Sequence, residues 1–138
     1  MSDVQAMPSS ADASKATILV VEDEVLVRMF ISDVLRNEGY TVIESVNADE
    51  ALAILRSPVK LDLVLTDLRM RGSIDGAGLV RVLRAEFPFM KVVMAAGQRP
   101  DDEVCKLLDA FLPKPVTPFQ LRSCLRTILP APAIGQAP

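Results

Sequence analysis

The chain has 138 residues, of which 50% are hydrophobic, and its 15 basic and 18 acidic side chains give a net charge of −3. This length is typical of one domain, the lack of a basic excess argues against nucleic-acid binding through a charged patch, and no apolar run reaches the ~20 residues of a membrane span. Cys105 and Cys124, in a sequence without a secretory segment, indicate reduced thiols. We therefore expect a cytoplasmic protein that binds neither nucleic acid nor membrane.

The two ends have compositions typical of disordered tails. Residues 1–15 are small and polar, and the sequence from Pro130 is rich in proline and alanine. We expect one domain over residues 16–130, between a disordered tail at 1–15 and a second at 131–138.

Strand-like and helix-like segments alternate five times between these tails. The first strand, about residues 17–21, is continuously apolar, as expected of a strand covered on both faces. Gly39 marks the end of the helix that follows, because glycine readily adopts a positive φ. The apolar residues at helical spacing in that helix are Val27, Phe30, Ile31, Val34 and Leu35.

The second and third units repeat this order. Residues 40–43 predict a strand, and Asn47 with Glu50 predicts a capped helix. Residues 61–65 predict the third strand, followed by a loop rich in glycine and charge and by a helix that Pro88 ends.

The last two units are shorter. Residues 92–95 predict a strand before a short helix, whose acidic residues 101–103 suit the positive end of the helix dipole. Residues 111–112 predict a brief fifth strand, and residues 117–120 begin the last helix with a capping box and a proline. Five β–α units joined by short connections predict a doubly wound α/β fold with a five-stranded parallel sheet.

Charged side chains follow three of the predicted strands. Glu22 and Asp23 follow the first, Asp67 the third and Lys114 the fifth. Ligands of such sheets bind beyond the carboxyl ends of the strands, where the strand order reverses, so we expect these side chains to share a pocket. Unit charges about 4 Å apart interact by roughly 4 kcal/mol near a protein surface, and one lysine cannot balance three carboxylates. The sequence therefore predicts a site for a metal ion and a phosphate.

Four motifs in this order resemble those of the response-regulator receiver domains of two-component signalling. They are Val21–Glu22–Asp23, Thr66–Asp67, Met70 with Asp75–Gly76, and Lys114–Pro115. The resemblance covers about residues 17–129. It implies a flavodoxin-like sheet with strand order 2-1-3-4-5 and a cis peptide bond between Lys114 and Pro115.

The resemblance also implies a role for each site residue. Asp67 would accept a phosphoryl group from a sensor histidine kinase or histidine phosphotransfer protein, and Lys114 would contact the phosphate. Mg²⁺ prefers oxygen ligands and keeps several waters. Its protein ligands would be Glu22, Asp23, Asp67 and the backbone carbonyl of Arg69. The chain would be a stand-alone receiver rather than a turnover enzyme, and it would signal to an unknown downstream protein through protein contacts.

The chain departs from the family at the end of the fourth strand. Receivers usually have Ser or Thr there, whereas this chain has Ala96, so only the backbone amides of Ala96 and Gly97 would contact the phosphate. A side-chain hydrogen bond to a charged group, worth roughly 1.5–3 kcal/mol, is lost. We expect Phe111, at the position of the family's switch aromatic residue, to respond weakly or by another route.

The residues leave alternative interpretations open. The missing hydroxyl favours an interaction module that does not depend on phosphorylation, and a small Mg²⁺-dependent phosphatase using Asp67 ranks last because the chain has no histidine. Each acidic residue alone also suits a helix cap or a turn. The loop after Asp67 is one residue longer than usual, with Arg71 where proline is common, and Arg69 is expected to extend over Asp67 and hinder attack by water.

Overall fold

The computed structural model describes residues 16–129, so both predicted tails lie outside the described residues. Five strands and five helices alternate within this range. The strands are β1 (Thr17–Val21), β2 (Thr41–Ser45), β3 (Leu63–Thr66), β4 (Lys91–Ala96) and β5 (Ala110–Pro113). The helices are α1 (Val25–Asn37), α2 (Ala48–Leu55), α3 (Gly76–Glu86), α4 (Asp102–Cys105) and α5 (Pro118–Ile128).

The strands form one sheet in which every neighbouring pair is parallel, in the order β2-β1-β3-β4-β5. Val21, the last residue of β1, lies opposite Ser45 of β2 and Thr66 of β3, which are also last residues of their strands. The strand order reverses between β1 and β3, so the switch point lies at these ends. The predicted doubly wound fold and its strand order are confirmed.

Two hydrophobic cores cover the two faces of the sheet, because successive residues of a strand point to opposite faces. Leu19 and Val21 of β1 pack with α2, α3 and α4, whereas Ile18 and Val20 pack with α1 and α5. All four side chains are at most 1% exposed. Because both faces of β1 are buried, its sequence is apolar at successive positions and does not alternate. Among residues 16–129, no helix is both long and apolar enough to cross a bilayer.

The helix ends follow the predicted capping signals. Asn47 accepts a hydrogen bond from the amide of Glu50 at 2.8 Å, and Thr117 with Gln120 forms the reciprocal capping box at the start of α5. Gly39 has a φ of 96°, as its place after α1 predicted.

Some details differ from the sequence-based expectations. Phe30 belongs to the helical apolar pattern of α1 but remains 42% exposed, because it lies at the edge of the helix face that packs on the sheet. Strand β2 extends to Ser45 and contains Glu44, whose carboxylate is held by Arg28 and Arg36. Cys105 and Cys124 are half-buried free thiols.

Arg84 of α3 joins the segments on either side of β4. Its guanidinium donates to the carbonyls of Leu107 at 2.9 Å and Met90 at 2.6 Å, and to the carboxylate of Asp109 at 3.1 Å. Asp109 in turn accepts from the amide of Val92 at 2.8 Å. These bonds fix the connection between α4 and β5.

Candidate functional site

The carboxyl edge of the sheet brings together the charged residues that follow β1, β3 and β5. Backbone bonds continue beyond the strand ends, since the amide of Asp67 donates to Val21 at 3.1 Å and that of Lys114 donates to Ala96 at 2.9 Å. One carboxylate oxygen from each of Glu22, Asp23 and Asp67 lies within 4.8 Å of the others. We call these three residues the acidic cluster. The predicted convergence of Glu22, Asp23, Asp67 and Lys114 is what the structure shows.

Lys114 lies between two members of the acidic cluster. Its Nζ is 2.8 Å from Oε1 of Glu22 and 3.3 Å from Oδ2 of Asp67. Glu22 is only 2% exposed, and its other oxygen accepts from the amide of Glu24 at 3.1 Å. Arg28 of α1 supports this arrangement by donating to the backbone carbonyl of Glu22 at 2.8 Å.

Burial and charge act in opposite directions on the two partners of this ion pair. Burial raises the pKa of Glu22, and nearby Asp67 raises it further, so its pKa stays above the usual value despite the hydrogen bond from Lys114. Burial lowers the pKa of Lys114, but the bond to Glu22 and the charges of Glu22 and Asp67 outweigh it, and the pKa is raised. Lys114 is therefore an ammonium at neutral pH, and one ammonium faces three carboxyl groups.

The side chain of Asp67 is oriented by its own loop. Its Oδ1 accepts from the amide of Leu68 at 2.7 Å, which leaves Oδ2 toward Lys114. The start of α3 comes very close, because a Cβ on Gly76 would lie 1.9 Å from the carbonyl oxygen of Asp67. Only glycine fits there without a backbone shift, which gives a physical reason for the Asp75–Gly76 motif.

A pocket of about 210 Å³ opens beside Asp67, and its lining residues are Asp67, Leu68, Arg69, Ala96, Gly97, Gln98 and Lys114. Ala96 is buried and carries no hydroxyl. A Cβ on Gly97 would meet nothing within 4 Å, so the pocket has free space at the end of β4. Arg69 lines the pocket, and its guanidinium donates to the side-chain carbonyl of Gln98 at the rim.

Phe111, the predicted switch residue, lies in β5 opposite Met94 of β4. It is half-buried and packs against the core on the α2–α4 side of the sheet. The pocket beside Asp67 does not include Phe111 among its lining residues.

An apolar groove borders the site on the α1 side. It has a volume of about 520 Å³ and is lined by Leu26, Val27, Phe30, Ile31, Lys114, Pro115 and Val116. Leu26 is 79% exposed at its rim. The Lys114–Pro115 peptide bond is cis, as the resemblance implied.

Residues from elsewhere in the fold support the site, and the sequence alone did not indicate them. Arg28, Gln98 and Asp49 contact Glu22, Arg69 and Ser73, respectively. These contacts connect segments 6 to 29 residues apart in the chain. A single sequence carries no periodic signal for such pairs, although the charged Glu44 inside β2 was a visible irregularity.

The doubly wound sheet, with a polar pocket where its strand order reverses, defines a flavodoxin-like α/β protein. The family model described as response regulator receiver domain matches residues 18–126. The chain belongs to this family, whose members are signalling modules of two-component systems.

Relatives and solved structures agree with this assignment. The chain is 37% identical over 123 residues to the sensor kinase CckA of Brucella abortus, covering 85% of this chain and 13% of that protein. It is 33% identical over 118 residues to the probable transcriptional regulator ycf27 of Porphyra purpurea, covering 83% of this chain and 48% of that protein. The chain therefore spans less than half the length of either curated relative.

Solved structures share the fold over nearly their whole length. The response regulator protein TrrA of Thermotoga maritima, in complex with Mg(2+)-BeF, matches with a TM-score of 0.77 and 27% identity, over 83% of this chain and 99% of that one. The chemotaxis response regulator CheY4 of Vibrio cholerae matches with a TM-score of 0.76 and 25% identity, over 83% of this chain and 99% of that one.

Proposed function

We propose that Asp67 accepts a phosphoryl group from the phosphohistidine of a sensor histidine kinase or histidine phosphotransfer protein, in a reaction that depends on Mg²⁺. The observation that carries this proposal is the contact of Lys114 with both Glu22 and Asp67 inside the acidic cluster. Together with Lys114, the acidic cluster supplies a carboxylate nucleophile, a cation for phosphate oxygens and oxygen ligands for a metal ion.

The acidic cluster fits Mg²⁺ by its donor set and its charge. The three carboxyl groups lie within 4.8 Å of one another, and Lys114 offers only one positive charge against them. Mg²⁺ takes oxygen ligands from carboxylates, carbonyls, waters and phosphates. Its ligands would be Glu22, Asp23, Asp67 and the backbone carbonyl of Arg69. The bound ion would neutralise charge on the phosphoryl oxygens.

In the proposed step, an oxygen of Asp67 attacks phosphorus in line with the leaving imidazole. The new O–P bond forms as the P–N bond of the phosphohistidine breaks, and the electron pair of that bond stays on the imidazole. Lys114, 3.3 Å from Oδ2 of Asp67, is placed to contact the incoming phosphoryl oxygens. Glu22 holds the ammonium in place at 2.8 Å.

Signalling from the phosphorylated state would differ from that of receivers with a hydroxyl at the end of β4. Ala96 offers no side-chain donor, so the backbone amides of Ala96 and Gly97 would contact the phosphoryl group. Phe111 would then respond weakly or by another route. NMR spectra of the apo, Mg²⁺-bound and acyl-phosphate-mimic forms test this, and a large ordered shift confined to Phe111 would contradict it.

Arg69 and Gln98 would limit access of water to the phosphorylated Asp67. Both line the pocket beside Asp67, and their hydrogen bond crosses its rim. Hydrolysis needs a water in line with the phosphorus, so a guanidinium at the rim would lengthen the lifetime of the phosphoryl group.

The partner that delivers the phosphoryl group would dock on α1. Val25, Leu26 and Met29 are 56%, 79% and 50% exposed, and the apolar groove beside them reaches Lys114. The phosphorylated receiver would signal to its downstream protein through contacts of this kind. The expected cytoplasmic location stays a prediction.

Phosphorylation by a small acyl phosphate tests the proposal. We expect intact-mass spectra to show one added phosphoryl group in the presence of Mg²⁺ and none in the presence of EDTA. Asp67→Asn should abolish the addition, whereas Asp62→Asn, at the other end of β3, should not. An unmodified wild-type chain would instead favour the interaction module independent of phosphorylation, which the missing hydroxyl at Ala96 supports.

A further inference from the structure

The β3–α3 loop, residues 67–75, is hydrogen-bonded to carboxylates of two other segments, the connection between β1 and α1 and the helix α2. Arg71 donates its backbone N–H to Oδ2 of Asp23 at 3.3 Å. Two residues later, Ser73 donates to Asp49 twice, from its hydroxyl to Oδ1 at 2.7 Å and from its amide to Oδ2 at 3.3 Å. The loop therefore connects one carboxylate of the acidic cluster to a side chain of α2.

Gly72 makes the turn between these two contacts. Its φ of 121° lies in a region that residues with a Cβ rarely adopt. A Cβ on Gly72 would also lie 3.4 Å from Oδ2 of Asp49 and 3.6 Å from Cβ of Asn47. The loop thus passes close to the start of α2. The turn at Gly72 lies between the Arg71 amide, which donates to Asp23, and the Ser73 amide and hydroxyl, which donate to Asp49.

Asp49 is a firm point of attachment for the loop. It lies in the first turn of α2, whose N-cap Asn47 accepts from the amide of Glu50 at 2.8 Å. The same helix is fixed in the core through Ala48 and Leu52, which are 0% and 7% exposed.

We propose that Asp49 and Ser73 are positioning residues for the cation site, because they hold the β3–α3 loop where the Arg71 amide orients the carboxylate of Asp23. Hydrogen bonds to a metal-binding carboxylate fix its direction, and their loss weakens metal binding. The same attachment sets the position of Arg69, which lies two residues before Arg71. The backbone carbonyl of Arg69 is a proposed ligand of the ion. This inference rests on the proposed function and adds residues that do not touch the ion.

Isothermal titration of the full chain with Mg²⁺ tests the inference through the Kd. We expect Ser73→Ala to raise the Kd about three- to tenfold, which is less than the ~10–100-fold typical of a direct partner of a metal ligand, because these bonds are exposed and act through the loop. Ser73→Thr keeps the hydroxyl and should restore binding to within about twofold of the wild type. Ser57→Ala is the matched control, because Ser57 donates its hydroxyl to Ile54 at 2.6 Å just beyond the far end of α2.

A second readout separates positioning from a general loss of stability. The amide resonance of Arg71 should shift in Ser73→Ala and stay in place in Ser57→Ala. In a double-mutant cycle, Ser73→Ala should have little further effect on the Kd in an Asp49→Ala background, because both changes remove the same attachment.

The outcomes distinguish this inference from the proposed function. If the wild-type chain binds Mg²⁺ and the Ser73→Ala variant binds it with the same Kd, the inference is overturned and the proposed function stands. Independent, additive effects of Asp49→Ala and Ser73→Ala would also overturn it. A wild-type chain with no saturable uptake of Mg²⁺ would overturn both.

Discussion

Lys114→Met removes the ammonium that contacts both Glu22 and Asp67. At an effective dielectric of about 20, unit charges at these separations attract by roughly 6 and 5 kcal/mol, where Nζ lies 2.8 Å from Glu22 and 3.3 Å from Asp67. Desolvation of the ammonium offsets much of this attraction, so we expect the free energy of unfolding to fall by about 2–4 kcal/mol near pH 8 without metal. The main cause is the carboxylate of Glu22, which is 2% exposed and loses its partner.

The loss should depend on pH with a defined sign. Burial already raises the pKa of Glu22, and without the bond from Lys114 its pKa rises further. As the pH falls through this raised value, the unpaired carboxylate takes up a proton and the cost of burying its charge disappears. We therefore expect the loss near pH 5 to be smaller by about 1 kcal/mol or more than near pH 8.

Urea unfolding followed by far-ultraviolet circular dichroism, in EDTA at both pH values, measures this difference. Lys60→Met is the control, because Lys60 is exposed in the connection between α2 and β3. A Lys114→Met variant that lost no more stability than Lys60→Met, or that lost the same amount at both pH values, would refute the reasoning.

Three further substitutions test other parts of the structure. Gly76→Ala places a Cβ 1.9 Å from the carbonyl of Asp67, so urea unfolding should show a loss of at least ~2 kcal/mol; an unchanged midpoint would contradict the close approach. Arg84→Lys removes the forked guanidinium that joins Leu107, Met90 and Asp109, so the free energy of unfolding should fall by about 2–3 kcal/mol. This prediction fails if Arg56→Lys, at an exposed position, lowers it by as much. Arg69→Ala opens the pocket beside Asp67 and should shorten the half-life of the phosphoryl group about three- to tenfold, or roughly 0.6–1.4 kcal/mol of barrier; an unchanged half-life measured by phosphate release would reject the shielding role.

The parts of the fold that follow from local patterns could be predicted from the sequence. The continuous apolar run of β1, the helix signals at Asn47 and Thr117 and the five alternating units were enough for the sheet and its helices. The convergence of Glu22, Asp23, Asp67 and Lys114 followed from topology, because the carboxyl ends of parallel strands share one edge.

The features that could not be predicted from the sequence depend on side chains that meet only in the folded chain. The apolar spacing of α1 includes Phe30, but spacing alone does not show where the buried face ends, and Phe30 lies at that edge. Arg84 gives no pattern of its own, since its partners are mainly backbone carbonyls of other segments. The Asp49–Ser73 attachment likewise depends on how the β3–α3 loop turns at Gly72.

The proposed phosphoryl transfer and the positioning role of Asp49 and Ser73 both require that a divalent cation binds at the carboxyl edge of the sheet. Mn²⁺, used as a paramagnetic substitute for Mg²⁺, would broaden the amide signals of residues near the bound ion in an NMR titration. We expect broadening to begin at Asp23, Asp67 and Arg69 at low Mn²⁺ and to be removed by excess Mg²⁺. Broadening that begins at the opposite edge of the sheet, near Asp62 and Lys91, or none before general line loss, would contradict it.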